Sequence, residues 1–313
     1  MKTLKQYILE NTSSVGTTVN DKGQHFLHGV AVEVKRAEPK PGMLSRIFSS
    51  QPKPTRSDEM ERRIKVHGEA SDIQTPFHDV VGMKSDQHVN HARKAVEHYG
   101  ISSYSLNSSL HQGKPLSAED QHTHQGLQKA IALSGSTRKE GNVFSGQSRF
   151  LSSAPAVKSK TITMPAYTSL STDQSVAQRF ANKSTERADS HSAANPASDP
   201  HYLHFEGQPH KNVALHQQDV HHFVNGTASP ELHKKYGIKP SDRVQARPFV
   251  NMIHASLPKG SRAVNLSRPG EEIAGGGEHE AELVVGPGSK FHRKSITMDL
   301  AKGTLIHHGV IET

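Results

Sequence analysis

Three segments of this chain hold residues whose types and spacing could do chemistry. The sharpest is GGGEHEAELVVGPGSKF, residues 275–291. A glycine-rich turn runs into acidic residues, then an apolar strand, then Gly-Pro-Gly. Residues two apart on a strand face the same way, so Glu278, Glu280 and Glu282 share a face, with Glu282 at the mouth of the apolar run. Carboxylates crowded beside apolar surface repel one another, which raises the pKa of at least one of them. The bland reading of the same residues is a solvated acidic edge strand.

The second segment is MPAYTSLSTDQSVAQRFA, residues 164–181. Hydroxyl side chains cluster in a turn that opens a helix with Val176, Ala177 and Phe180 on one face. By itself this is an ordinary Ser/Thr turn with a helix cap. The third is NVFSGQSRF, residues 142–150, a strand end with a glycine and a nearby Arg149. The paired histidines His122 and His124, His221 and His222, and His307 and His308 suggest metal ligands. In a chain with 23 histidines such pairs arise easily, and no carboxylate or cysteine completes a ligand set at a recognised spacing; no metal is expected. The triple glycine at 275–277 lacks the Lys-Ser/Thr of a phosphate loop.

Elements must position these segments. Val89, Ala92, Val96 and Tyr99 recur at helical intervals over 88–100 and stop at Gly100. Ser117-Ala-Glu-Asp120 reads as a capping pattern opening a helix over 117–133, with Leu127, Ala130 and Ile131 on one face. Strands are expected at 25–36, 143–144, 161–164, 202–205, 249–257, 263–266 and 283–285. The polar stretch 183–200 and the His-rich 208–245 read as insertions, and residues 1–10 as a short amphipathic helix. Helices precede strands, which argues an α+β fold over a doubly wound parallel sheet. Between Arg36 and Lys65 lie Pro39, Pro41, Pro52 and Pro54 among many Lys and Arg. Such a stretch buries too little apolar surface to offset its ordering entropy. The expected organisation is an N-terminal arm with a basic Pro-rich linker, 1–70, followed by the main domain, 71–313.

Composition sets outer bounds. The chain has no cysteine, which excludes disulfides, thiolate metal sites and a cysteine nucleophile. A formal charge of +8 favours polyanionic partners: nucleic acid, acidic protein, or the pyrophosphate of a dinucleotide. No apolar run approaches a membrane span and no apolar signal segment follows Lys2 and Lys5, so no membrane partner is expected.

Taken in order, the three segments resemble the arginine–serine–glutamate class of mono-ADP-ribosyltransferases, which includes bacterial toxins, effectors and phage-encoded enzymes. The resemblance spans roughly residues 85–295. The family's Ser-Thr-Ser motif matches Ser169-Leu170-Ser171, preceded by Tyr167 and followed by Val176, Ala177 and Phe180. Its Glu-x-Glu motif matches Glu280-Ala281-Glu282, with Leu283-Val284-Val285, Pro287-Gly288 and Phe291 behind it. YGISSYSLNSSLHQG resembles the family's helical lead-in, with Tyr99, Tyr104, Asn107 and Leu110 in place, and FVNMIHASLPKGSRAV its penultimate strand and turn. The family's phosphate-gripping arginine is absent: Ser145 stands there, in Phe144-Ser145-Gly146. Arg149 is the nearest substitute, with Arg138 behind it. In an extended chain Arg149 lies roughly 13 Å from Ser145, so it serves only if the backbone turns back at Gly146. His28-Gly29 is similar to a motif of the histidine–tyrosine–glutamate transferases, in a context that does not fit.

The resemblance implies a split β-sandwich core of the ADP-ribosyltransferase type preceded by helices, with NAD as substrate. It implies Glu282 as the stabiliser of the ribosyl cation, Ser169 as the residue that positions ribose and Glu282, and Glu280 as the acceptor-side carboxylate. Arg149, Ser145, Gly146, Ser171 and Tyr167 would contact NAD. The implied acceptor is arginine of a bacterial host protein, in host cytoplasm, with packaging in a virion as one route of delivery. Two alternatives stay open: transfer to nucleic acid or water, and a non-catalytic binding or virion protein that keeps the fold.

Overall fold

The computed structural model describes residues 16–38, 55–82, 84–147, 149–191, 199–267 and 282–313. The expected helix at 1–10, Glu278, Glu280 and the glycines at 275–277 lie outside the described residues. The fold is α+β. Helices α1 (Arg56–Ile73), α2 (Phe77–Val81), α3 (Gln87–Ser102), α4 (Tyr104–Gln112) and α5 (Ala118–Ser134) precede most of the strands, and a short helix, α6 (Ala154–Lys158), comes later. Asp86 caps α3, accepting from the backbone N–H groups of His88 and Val89 at 2.9 Å. Ser117 caps α5 through the N–H of Asp120 at 3.1 Å. The apolar faces read from spacing are buried: Val89, Ala92, Val96 and Tyr99 pack with Leu127, Ala130 and Ile131 in one cluster.

The main sheet takes β1 (Thr17–Val19), β2 (His25–Leu27), β3 (Val30–Lys35), β4 (Gly141–Gln147), β5 (Thr161–Thr163), β6 (Thr168–Ser171), β10 (Val250–Leu257), β11 (Ala263–Asn265), β12 (Glu282–Val285), β13 (Lys290–Asp299) and β14 (Thr304–Glu312). Its order is β1-β2-β3-β13-β14-β10-β4-β6-β12-β11, with β5 on the free part of β13's edge. A smaller sheet, β8-β7-β9, is made by β7 (His201–Phe205), β8 (Val213–Ala214) and β9 (Val244–Pro248). The His-rich stretch expected as an insertion carries β8 and two helices, Gln217–Val224 and Pro230–Lys235.

The sheet splits in the middle. β4 runs beside β10 for seven residue pairs, yet meets β6 only at Phe144↔Ser171. Beyond that pair the strands part, and β6-β12-β11 forms a separate limb. Leu170, Leu283 and Val285 of this limb point into the core beneath the sheet, while Val284 points to the helices. Glu282 shares parity with Val284. Its register partner is Ser171, and that of Val284 is Ser169. Both serines and Glu282 therefore face the helix side, alternating with core residues. Leu170, the middle residue of Ser169-Leu170-Ser171, is 1% exposed: it is a core position.

Two expectations need correction. The stretch read as linker up to Lys65 is helical from Arg56. Thr55 and Asp58 form a reciprocal capping box. The Val66 carbonyl accepts from the Thr172 hydroxyl at 3.0 Å, and Arg62 pairs with Asp173. Helix α1 thus braces the turn after β6, and residue 70 falls inside it. The expected strand at 25–36 is a hairpin, because His28 and Gly29 take positive φ of 49° and 83° and turn the chain. Strand β3 then pairs with β13, which joins residues 17–35 to the main sheet.

Candidate functional site

The split in the sheet opens a cleft of about 480 Å³. Its floor is β6 with Glu282 at the start of β12. One wall is β4 from Phe144 to Gln147, backed by helix α7 (Gln174–His191) through Val176, Ala177 and Phe180. The opposite wall is α4, through Tyr104, Asn107, Ser108 and His111. Among the sequence-derived candidates, Glu282, Ser169, Ser171, Ser145, Gly146 and Tyr167 all line this one cleft. Glu280 lies outside the described residues, as does the side chain of Arg149.

Glu282 is part-exposed as a residue because it opens on the cleft. Burial pushes its carboxyl pKa up, and a hydrogen bond with Ser169 pulls partly against that shift. Ser169 is held from behind. Its hydroxyl lies 3.4 Å from the Tyr99 hydroxyl, which accepts from Asn107 Nδ2 at 3.1 Å. Burial, then the nearby Glu282 charge, raise the Tyr99 pKa to about 12; the phenol stays neutral. Tyr167 meets Tyr99 edge to face at 5.8 Å and donates to the His124 carbonyl at 2.9 Å. Burial raises its pKa as well.

Ser145 spans the split. Its hydroxyl donates to the Ser169 carbonyl at 2.6 Å and accepts from Gln147 Nε2 at 2.6 Å. It therefore does for β6 what the missing ladder does not. Gly146 lines the cleft but does not make the turn expected of it. Strand β4 continues through it to Gln147, and the chain makes no turn there. Helix α7 crosses directly over it: a Cβ at Gly146 would sit 2.4 Å from the Ala177 carbonyl and from the Ala181 nitrogen. Arg149 opens a 3-10 turn, Arg149–Ser152, past the end of the strand. Ser171 accepts from the Asp173 N–H at 3.0 Å and so shapes the entry to α7.

Sequence reasoning did not single out the α4 wall as a ligand surface. Tyr104, Asn107, Ser108 and His111 recur at i, i+3, i+4 and i+7, one helical face. That spacing was the available signal, hidden because the stripe is polar where a helix usually shows its apolar face. Among the described residues no group of His, Asp and Glu is placed to hold a metal ion, and no helix is long and apolar enough to cross a membrane.

No family model matches the chain. No curated protein matches it. Among solved structures it is similar to Vis toxin, an ADP-ribosyltransferase from Vibrio splendidus, at 13% identity over 84% of this chain and 89% of that one, TM-score 0.44. It is similar to Plx2a, an ADP-ribosyltransferase toxin from Paenibacillus larvae, at 10% identity over 82% and 97%, TM-score 0.44. A third is exoenzyme S from Pseudomonas aeruginosa, solved with human 14-3-3 protein beta and carba-NAD, at 14% identity over 82% and 86%, TM-score 0.40. Similarity at this level assigns no function, which has to come from the cleft's own residues.

Proposed function

We propose that the protein is a mono-ADP-ribosyltransferase that uses NAD and transfers its ADP-ribose to arginine of a host protein. The observation that carries this reading is a desolvated carboxyl, Glu282, tied to Ser169 on the floor of a cleft. The cleft volume lies within the range of roughly 300–1,000 Å³ usual for small-molecule sites. In the reaction the bond between ribose C1′ and the nicotinamide nitrogen breaks, and its electron pair leaves with neutral nicotinamide. Positive charge passes to the ribose. A carboxylate that is poorly solvated at rest gains most when that charge forms beside it, so Glu282 favours the transition state over the ground state. Ser169, held by Tyr99, fixes the carboxylate in place. The acceptor nitrogen then bonds to C1′ and gives up a proton to Glu280. A guanidinium stays protonated at neutral pH, so it needs such a base.

The +8 charge favours a second acceptor class, nucleic acid. Origin in a phage and bacterial host acceptors belong to the same proposal. The test is incubation of purified protein with labelled NAD and bacterial lysate, followed by nuclease treatment and mass spectrometry. Expected are nicotinamide release and label on arginine that survives nuclease. Loss of label with nuclease would move the acceptor to nucleic acid. No nicotinamide release would overturn the enzyme reading in favour of a binding protein. Glu280→Gln should lose transfer to arginine while part of the slow NAD hydrolysis persists. If both fall together, Glu280 does not act on the acceptor.

A further inference from the structure

The ligand proposed for the cleft carries a pyrophosphate, yet no Lys or Arg is among the described residues that line it. The charged group on its floor is the carboxyl of Glu282. One lining side chain can take up a positive charge: His111, on the α4 wall. It is exposed and sits in the last turn of its helix, where the unpaired carbonyls favour a cation.

Position supports the assignment. Asn107 and His111 are four residues apart, just over one helical turn or about 6 Å along the axis. Asn107 belongs to the reacting end, through Tyr99 and Ser169. Its Oδ1 is buried without a hydrogen-bond partner, an open acceptor beside the floor. A dinucleotide whose ribose rests on Ser169 and Glu282 would carry its phosphates about one turn further along this wall.

We propose that His111, as imidazolium, is the residue that meets the pyrophosphate of the dinucleotide, and that binding takes up a proton there. This rests on the NAD reading above. In the free protein, partial desolvation of the ring, on a residue that otherwise opens to solvent, lowers the His111 pKa, so the ring is largely neutral at neutral pH. A dianion beside it reverses that balance. Among the described residues, the titratable groups around this wall are Tyr104 on α4, Tyr99 on α3, Asp120 and His124 on α5, Tyr167 ahead of β6, and Glu282 on β12. Asp120 is engaged by the Ser105 and Ser117 hydroxyls at 2.8 and 3.0 Å. Binding therefore strengthens as pH falls. Turnover needs Glu282 ionised and rises with pH through that group's raised pKa. The two requirements oppose each other, so kcat/KM has a bell-shaped pH profile whose alkaline limb belongs to His111.

The test is calorimetric titration of the intact protein with NAD between about pH 6 and 8.5, in two buffers of different ionisation heat. Expected is uptake of up to one proton and a dissociation constant that rises severalfold across the range. His111→Gln should bind NAD about tenfold more weakly and take up no proton. His111→Lys should restore affinity and leave it independent of pH. Arg149→Ala should keep the proton uptake. NAD binding without proton uptake, or wild-type affinity in His111→Gln, overturns this assignment and leaves the transferase reading standing. No NAD binding by the intact protein overturns both.

Discussion

Two regions of this molecule gather buried polar side chains, and they do so to opposite ends. Under the N-terminal hairpin His28, Asn251, Arg293 and His307 form a closed network. His28 Nδ1 accepts from the Gly16 N–H at 2.8 Å, so its Nε2 carries the proton and donates to the Ser152 carbonyl at 2.7 Å. His307 Nδ1 accepts from Arg293 at 3.4 Å, so its Nε2 donates to Asn251 Oδ1 at 3.1 Å. Asn251 reaches the Ser152 hydroxyl at 3.4 Å, and Arg293 donates to the carbonyls of Ala156, Val157 and Ser159 at the end of a short helix, Ala154–Lys158. Burial holds His28 below its ordinary pKa and takes His307 down to about 3. Both rings are neutral struts with each nitrogen used. In the cleft, by contrast, Asn107 Oδ1 lacks a partner and the Glu282 carboxyl is desolvated with one serine for company. A satisfied buried network fixes a structure; an unsatisfied one is held ready for something absent. Three residues that look like chemistry by type, His28, His307 and Arg293, lie in the structural region.

The largest expected effect is in the cleft. Glu282→Gln keeps the shape and removes the charge, so NAD turnover should fall about a thousandfold while NAD binding stays within a few-fold. Its stability should move the other way. A carboxyl whose folded pKa is raised above the unfolded value binds more protons when folded, so it costs stability increasingly as pH rises from the unfolded value of 4.5 through the folded one. At neutral pH the Gln variant should therefore melt higher than the wild type. A variant that melts lower, or turns over normally, would place Glu282 among the structural groups and erase the contrast.

Next comes the closed network. Arg293→Met keeps the bulk of the side chain but strips its donors from three carbonyls and from His307. Leaving buried acceptors unpaired costs about 1–3 kcal/mol, which should lower Tm by several degrees. NAD affinity of the folded fraction should not change. A selective loss of NAD binding without a change in melting would show that this region serves the ligand directly.

How much of this was legible follows the same division. Helices α3 and α5 were readable because Asp86 and Ser117 cap them and their apolar residues recur at helical spacing. Strand β12 was readable because Leu283-Val284-Val285 is a short apolar run between turn residues. The long strands β13 and β14 were missed. KFHRKSITMD and TLIHHGVIE mix charged and apolar residues without alternation, since β13 has different neighbours at its two ends and a bulge between Arg293 and Ser295. Helix α1 was missed behind its composition: few of its residues are buried, and Thr55-x-x-Asp58 was the one local sign. In the cleft, six residues came from the resemblance of three segments, taken in order, to known transferase motifs. The role of Gly146 did not, because a glycine demanded by a crossing helix reads in sequence like a glycine demanded by a turn.

The smallest expected effect sharpens the comparison most. Tyr99 stands between the two kinds of polar group, buried like a strut yet linked to the reacting carboxyl. Tyr99→Phe removes one hydroxyl; the ring keeps its edge-to-face contact with Tyr167, and Asn107 Nδ2, which loses its acceptor there, lies at the cleft where water can take it, so Tm should shift little. The lost contact to Ser169 is long, 3.4 Å, and Ser169 keeps its bond to Glu282. The change should therefore lower kcat only about three- to tenfold, in line with one weak neutral hydrogen bond, and leave KM for NAD nearly unchanged. A hydroxyl that donates to Ser169 strengthens Ser169 as a donor to Glu282. Its removal weakens the bond that lowers the carboxyl's pKa, so the acid limb of the kcat profile should move to higher pH. A rise in KM with kcat and the acid limb unchanged would show that Tyr99 acts on the ligand and not through Ser169. A large drop in Tm with normal kinetics would return it to the structural region, alongside His307.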